Sequence, residues 1–143
     1  MRNYEHSDYL DAIQVARLRK KIRIAVKNIR KKSNVRFDSI AFCGNSGALV
    51  APGVALQLNK HLILVRKGKS HSNLQVEGFL SRKYIILDDF VFRGITARRI
   101  VRKVKNFCGG ECVGLYLYNS RIFITQPKLI KKKIYQFRKS GAL

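Results

Sequence analysis

Tryptophan is absent from this chain of 143 residues, methionine occurs once, proline twice and cysteine three times. Acidic residues are also scarce: eight Asp and Glu stand against 30 Lys and Arg, for a formal charge of +22. Each shortage excludes something. Cys43, Cys108 and Cys112 are odd in number and form no CxxC pair, so a disulfide framework is not expected. The Cys108-Gly-Gly-Glu-Cys112 segment lacks the four-ligand set of a structural zinc site. No apolar run approaches the ~20 residues of a membrane span. Residues 1–20 carry no apolar stretch of the secretory kind, and a cytoplasmic location is the expectation.

What is present can build a core: 46% of residues are hydrophobic and 10% aromatic, and the length suits one domain. The positive surface attracts polyanions, whether nucleic acid, phosphorylated metabolites or an anionic membrane, and charge alone does not choose among them.

From Ser7 to Lys32, Ile13, Leu18, Ile22, Ala25, Val26 and Ile29 recur at helical spacing. Ser7 is the expected N-cap, with Asp8 and Asp11 suited to the positive end of the dipole. The opposite face carries Arg17, Arg19, Lys20, Lys21, Arg23, Lys27, Arg30, Lys31 and Lys32, with no acidic partner at i±4. Such a face is ordinarily just solvated, but this one-sided excess is self-repelling, and a polyanion would relieve it.

Beyond Asn34 the pattern predicts a strand over Phe37–Cys43, a loop Gly44–Gly47, and a small-residue helix Ala48–Leu58 despite Pro52, a residue tolerated if it lies in the first turn. A strand His61–Arg66 and a polar loop Lys67–Gln75 follow. Next come a strand Tyr84–Leu87, a helix from about Ala97 to Phe107 closed by Gly109-Gly110, a strand Val113–Tyr118, and a basic helix Lys128–Lys139. Alternating strands and helices predict an α/β domain, an open and mainly parallel sheet flanked by helices. Residues 1–143 read as one domain: a basic N-terminal helix over 1–34, a core over 35–107, and the last strands with a basic C-terminal helix over 108–143.

Two of the eight acids stand side by side, Asp88 and Asp89, where an apolar strand ends. In open α/β sheets ligands bind beyond the carboxyl ends of strands. Carboxylates there suit ribose hydroxyls or a divalent cation. The turn Val91-Phe92-Arg93-Gly94-Ile95-Thr96 leads into a helix whose first N–H groups can cradle an anion. Arg98 and Arg99 in that helix's first turn oppose the dipole unless an anion sits nearby.

The segment Tyr84–Thr96 resembles the signature of type I phosphoribosyltransferases: an apolar strand, two acids, two apolar and two variable residues, then Gly, any residue and Thr. Upstream, Asp38–Gly47 is similar to that family's first strand and pyrophosphate loop, and Leu62–Lys67 to the strand ending in Arg-Lys. Residues 35–105, about half the chain, follow the family order.

The resemblance implies a phosphoribosyltransferase-like fold with a reduced hood. It implies binding of phosphoribosyl pyrophosphate with Mg2+, and transfer of the phosphoribosyl group to a nucleobase with release of pyrophosphate. Asp88 and Asp89 would hold the ribose and, with the substrate, the metal. Val91, Phe92, Arg93, Gly94, Ile95 and Thr96 would wrap the 5′-phosphate, while Asn45, Ser46, Gly47 and Lys67 would meet the pyrophosphate. Lys69 and His71 correspond to the catalytic loop. Dimers are common in the family, which extends the expectation to a homodimer.

Phe92 and Arg93 depart from the family's small or hydroxylated residues. Phe92 also replaces the aspartate of 6-oxopurine enzymes, which disfavours hypoxanthine and guanine. Tyr116, Tyr118 and Phe123 are candidates for stacking on the base, with core packing the favoured role for each. His6 and His61 are assigned no chemistry. The rival reading on the same fold is a regulator that binds RNA or DNA through its basic helices. Membrane-surface binding is a weaker third, since the basic helix lacks large aromatic anchors.

Overall fold

The computed structural model describes residues 3–68, 73–89 and 95–135. Its helices are α1 (Val15–Arg30), α2 (Gly44–Leu58), α3 (Ile95–Cys108) and α4 (Pro127–Tyr135), and a 3-10 turn over Asp8–Ile13 precedes α1. The strands are β1 (Ser39–Cys43), β2 (His61–Val65), β3 (Val76–Gly78), β4 (Lys83–Asp88), β5 (Glu111–Leu117) and β6 (Ile122–Ile124).

Among the described residues the strands form one sheet in the order β3-β2-β1-β4-β5-β6. The four central strands are parallel, and β3 and β6 pair antiparallel at the two edges. The mainly parallel α/β sheet flanked by helices is therefore the observed architecture. β1 is buried throughout, as the middle of a sheet covered on both faces must be.

Strand alternation splits the core into two layers. Ile40, Phe42, Ile85, Leu87 and Tyr116 face α1 and α2, whereas Ala41, Ile63, Tyr84, Ile86 and Leu115 face α3 and α4. α1 buries Ala25, Val26 and Ile29, and it crosses α2 so closely that a side-chain carbon on Gly53 would collide with Ile22.

Several expectations need correction. Ser7–Lys32 is not one helix: the segment splits into the 3-10 turn and α1, joined at Gln14 in an extended conformation, and Ser7 makes no side-chain cap. Asp11 accordingly lies outside α1, where it accepts hydrogen bonds from Arg17 (3.0 Å) and pairs with Lys21 (3.3 Å). Among the described residues the basic face thus has one acidic partner, at a spacing that i±4 counting does not sample.

Pro52 sits inside α2 rather than in its first turn. Its missing N–H leaves the preceding turn one hydrogen bond short, but Val50, Ala51, Val54 and Ala55 are buried around it and hold the helix by packing. α2 closes at Asn59, left-handed at φ 54°, a conformation asparagine tolerates. The Lys60 N–H then falls back on the Ala55 carbonyl at 2.9 Å.

Val76–Gly78 and Ile122–Ile124, for which no strand was expected, are the edge strands. α3 begins at Ile95, two residues before the expected start. α4 is described only as far as Tyr135, so the end of the expected helix Lys128–Lys139 lies outside the described residues. No described helix is long and apolar enough to cross a membrane.

Candidate functional site

The strand order reverses between β1 and β4: the connection through α2 carries the chain from β1 outward to β2, and β4 returns to the other side of β1. The carboxyl ends of β1 and β4 consequently diverge into α2 on one side and the Asp88-Asp89 segment on the other. Such a reversal point is where open α/β sheets form a ligand crevice.

Asp88 is the last residue of β4 and is buried, while Asp89 is half-buried. The Asp89 N–H donates to Asp88 Oδ1 at 2.9 Å. Burial first, and the adjacent Asp89 carboxylate second, push the Asp88 carboxyl up to about 8, against a smaller opposing pull from Lys67. Asp88 therefore holds its proton near neutral pH, and a bound cation or several hydroxyl donors would favour its ionised form.

The backbone of the pair is fixed by the neighbouring strand. The N–H groups of Tyr118 and Asn119 donate to the carbonyls of Asp88 (3.0 Å) and Asp89 (3.2 Å). The Tyr118 hydroxyl donates to the Ser46 carbonyl at 3.1 Å, tying the end of β5 to the first turn of α2. Burial, then the charges of Asp89 and Asp88, raise the Tyr118 pKa, keeping that phenol a donor.

The expected loop Gly44–Gly47 is instead the first turn of α2. Gly44, at φ +81°, makes the sharp entry that residues with a Cβ resist. Gly47 brings this turn against the sheet, since a Cβ there would lie 3.0 Å from Phe42 Cβ and 3.6 Å from the Leu87 carbonyl oxygen. Asn45 is exposed and Ser46 half-buried in the same turn.

Lys67 extends from the end of β2 over Gly44, its Cε and Nζ each 3.0 Å from where a Gly44 Cβ would stand. A cation is thereby parked at the positive end of a helix dipole, an arrangement that favours an anion between them. The Cys43 thiol lies below, buried at the end of β1. Burial raises its pKa, with Lys67 and Arg99 pulling the other way.

The segment after Lys67 is anchored at both ends. The Arg66 N–H donates to the Gln75 carbonyl at 2.9 Å, its Nε to the Leu74 carbonyl at 3.1 Å, and its guanidinium pairs with Glu77. From α3, Lys103 Nζ donates to the Arg66 carbonyl (2.7 Å) and to Gln75 Oε1 (3.0 Å).

Of the expected site residues, Asp88, Asp89, Asn45, Ser46, Gly47 and Lys67 gather at this end of the sheet. Ile95 and Thr96 begin α3, with Ile95 exposed and Thr96 half-buried. Lys69, His71, Val91, Phe92, Arg93 and Gly94 lie outside the described residues. Tyr116 and Tyr118 are too buried to stack on a ligand, and Phe123 packs edge-on against Tyr116 with ring centroids 5.9 Å apart. Sequence reading missed Asn119 as a support of the pair. Only the β4–β5 register, which sets Asp88 opposite Leu117, places Asn119 there. Among the described residues no group of three or more His, Cys, Asp or Glu is placed to hold a metal by itself.

No family model matches the chain. Over 104 residues, 66% of this chain, it is 27% identical to a transcriptional regulator, GfcR, of Methanocaldococcus jannaschii, and it spans about half (49%) of that protein's length. Among solved structures it is similar to the UMP synthase of Leishmania donovani (TM-score 0.61, 24% identity, 74% of this chain and 23% of that one). It is also similar to the adenine phosphoribosyltransferase of Thermoanaerobacter pseudethanolicus (TM-score 0.57, 17% identity, 81% of this chain and 76% of that one). A third is the orotate phosphoribosyltransferase of Mycobacterium tuberculosis, solved with phosphoribosyl pyrophosphate (TM-score 0.53, 17% identity, 68% and 58%). The architecture of this chain is the type I phosphoribosyltransferase fold.

Proposed function

We propose that the chain binds phosphoribosyl pyrophosphate with Mg2+ and transfers its phosphoribosyl group to a nucleobase, releasing pyrophosphate. One observation carries this reading: a carboxylate pair and a helix N-terminus roofed by lysine meet at the reversal point of the sheet. A sugar with a charged leaving group needs both halves.

Asp88 and Asp89 accept hydrogen bonds from the ribose hydroxyls. The first turn of α2, through Asn45, Ser46 and Gly47, receives the pyrophosphate together with Lys67. Thr96 and the N–H groups opening α3 receive the 5′-phosphate, beside Ile95. As the bond from C1′ to the pyrophosphate oxygen breaks, its electron pair leaves with the pyrophosphate, and positive charge develops on the sugar next to the carboxylates. The base nitrogen then closes on C1′, and its N–H proton leaves to the departing pyrophosphate or to solvent. Preorganised charge of this kind lowers the barrier because little reorganises during the step.

Asp88 and Asp89 would hold Mg2+ together with the substrate, their oxygens being hard donors of the kind that ion takes. Bound there, Mg2+ neutralises the leaving group. The chain meets its relatives over only part of their length, and the solved enzymes lend support through fold alone.

The test is pyrophosphate release from phosphoribosyl pyrophosphate and Mg2+ across a panel of bases, beside calorimetric binding. Turnover with one base, abolished by Asp88→Asn with Asp89→Asn in a folded variant, is the expected result. Failure to bind the sugar phosphate at all would overturn the reading. Binding without turnover would favour a second reading, a regulator that holds the same ligand, which the likeness to a transcriptional regulator supports.

A further inference from the structure

Adjoining the sugar-phosphate site through Tyr118 and Asn119, a cleft of about 380 Å3 opens between the start of α1 and the turn joining β5 to β6. Four cations line it, Arg17, Lys20, Lys21 and Arg121, against one carboxylate, Asp11. Asp11 is already engaged by Arg17 and Lys21. Lys21 also donates to Asn119 Oδ1 at 2.8 Å and lies 5.5 Å from the Tyr118 ring centroid. Among the described residues neither Lys20 nor Arg121 has a carboxylate within ion-pair distance. The cleft therefore has net positive charge left to satisfy.

Arg121 is held at φ +60°, a left-handed conformation that costs a side-chain-bearing residue stability. From the cleft the positive charge continues along one face of α1 at helical spacing, through Lys27 to Lys31 at the helix cap, all exposed. At about 1.5 Å per residue, the row from Arg17 to Lys31 runs about 20 Å. A strand followed over that length offers more than one phosphate to the row. A single small anion would fill the cleft and leave the row unused. A lipid surface needs an apolar wedge, and the apolar face of α1 is buried in the core.

We infer that this cleft and the α1 row form a docking surface for the phosphate backbone of a nucleic acid. The inference goes beyond the sugar-phosphate reading and does not depend on it. Phosphates of one strand lie along Lys20, Lys27 and Lys31, with one seated in the cleft against Arg121. The contacts are to backbone and carry no base specificity of their own.

The test uses the full chain and fluorescent DNA and RNA oligonucleotides, single-stranded and duplex, with polarisation read from 50 to 300 mM salt. The variant Lys20→Gln, Lys27→Gln, Lys31→Gln, Arg121→Asn is compared with Lys128→Gln, Lys131→Gln, Lys132→Gln on α4. Each phosphate contact contributes about 0.7 to 0.9 to the log–log salt slope. The first variant is expected to lower the slope by about 3 and affinity at least tenfold, and the second to change the slope by less than 1. Which oligonucleotide binds tightest identifies the natural strand type.

Three results would overturn the proposal: no oligonucleotide binding at 50 mM salt, an equal loss in the α4 variant, or binding to anionic vesicles but not to oligonucleotides. Circular dichroism confirms that each variant is folded. Calorimetry with Mg2+ and phosphoribosyl pyrophosphate should be unchanged in the cleft variant, so failure of either proposal is visible separately.

Discussion

Lys67 lies over Gly44: a side-chain carbon on the glycine would stand 3.0 Å from both Cε and Nζ of the lysine. The contact joins the end of β2 to the start of α2, the two elements expected to grip a pyrophosphate.

Gly44→Ala is expected to act on both stability and binding. The substitution forces a Cβ into φ +81° and into the Lys67 side chain together. The conformational part costs about 1–2 kcal/mol, readable as a lower midpoint in urea unfolding. Displacing Lys67 should also weaken binding of Mg2+-pyrophosphate by about tenfold in calorimetry. Unchanged pyrophosphate affinity in a folded Gly44→Ala protein would remove Lys67 from the site.

Asp88 makes stability depend on pH in a direction opposite to that of a paired carboxylate. In the unfolded chain this carboxyl ionises near its usual 3.8, whereas the folded chain keeps it protonated up to about 8. Between those values the native state holds a proton that the unfolded state has released, so this group's contribution falls as pH rises through the window. Asp88→Asn should therefore stabilise the protein by more than about 1 kcal/mol at pH 8 and hardly change it near pH 4. The same variant should lose sugar-phosphate binding. Thermal melts of both proteins from pH 4 to 8.5 decide the matter, and parallel curves would contradict it.

Gly78→Ala tests the anchor of the 67–75 segment. A Cβ there would strike the Leu62 carbonyl and stand 2.8 Å from Ile63 Cα, at a φ of +150°. Backbone cannot yield as a side-chain end can, so a loss of about 2 kcal/mol or more is expected. Freeing β3 should also raise protease cleavage between residues 67 and 78 before cleavage elsewhere. Uniform cleavage would mean that β3 does not hold this segment.

The central strands and the Asp88-Asp89 pair were legible in the sequence because each carries a strong local signal. β1 and β4 each hold a four-residue apolar run, Ile40–Cys43 and Tyr84–Leu87, and two adjacent acids stand out in a chain of charge +22. β3 and β6, three residues each, are too short for alternation to register, and their pairing is set by partners distant in sequence. The Gly44–Gly47 turn looked like a loop because glycine and asparagine are poor helix formers, but burial of the small residues that follow draws it into α2. Asp11 was read as a dipole partner; its two cations find it only because the chain bends at Gln14.

α1 has a structural consequence as well as an electrostatic one. Ala12, Ala25, Val26 and Ile29 are buried in the layer beneath it, and Ile22 fills the notch at Gly53. The charged segment is thus also a wall of the interior and cannot be trimmed away as a detachable tail. A fragment starting at residue 35 would lose Ala25, Val26 and Ile29 from the core and uncover α2 at Gly53, so any minimal version of this protein must retain its basic helix, with charge altered by substitution rather than by deletion.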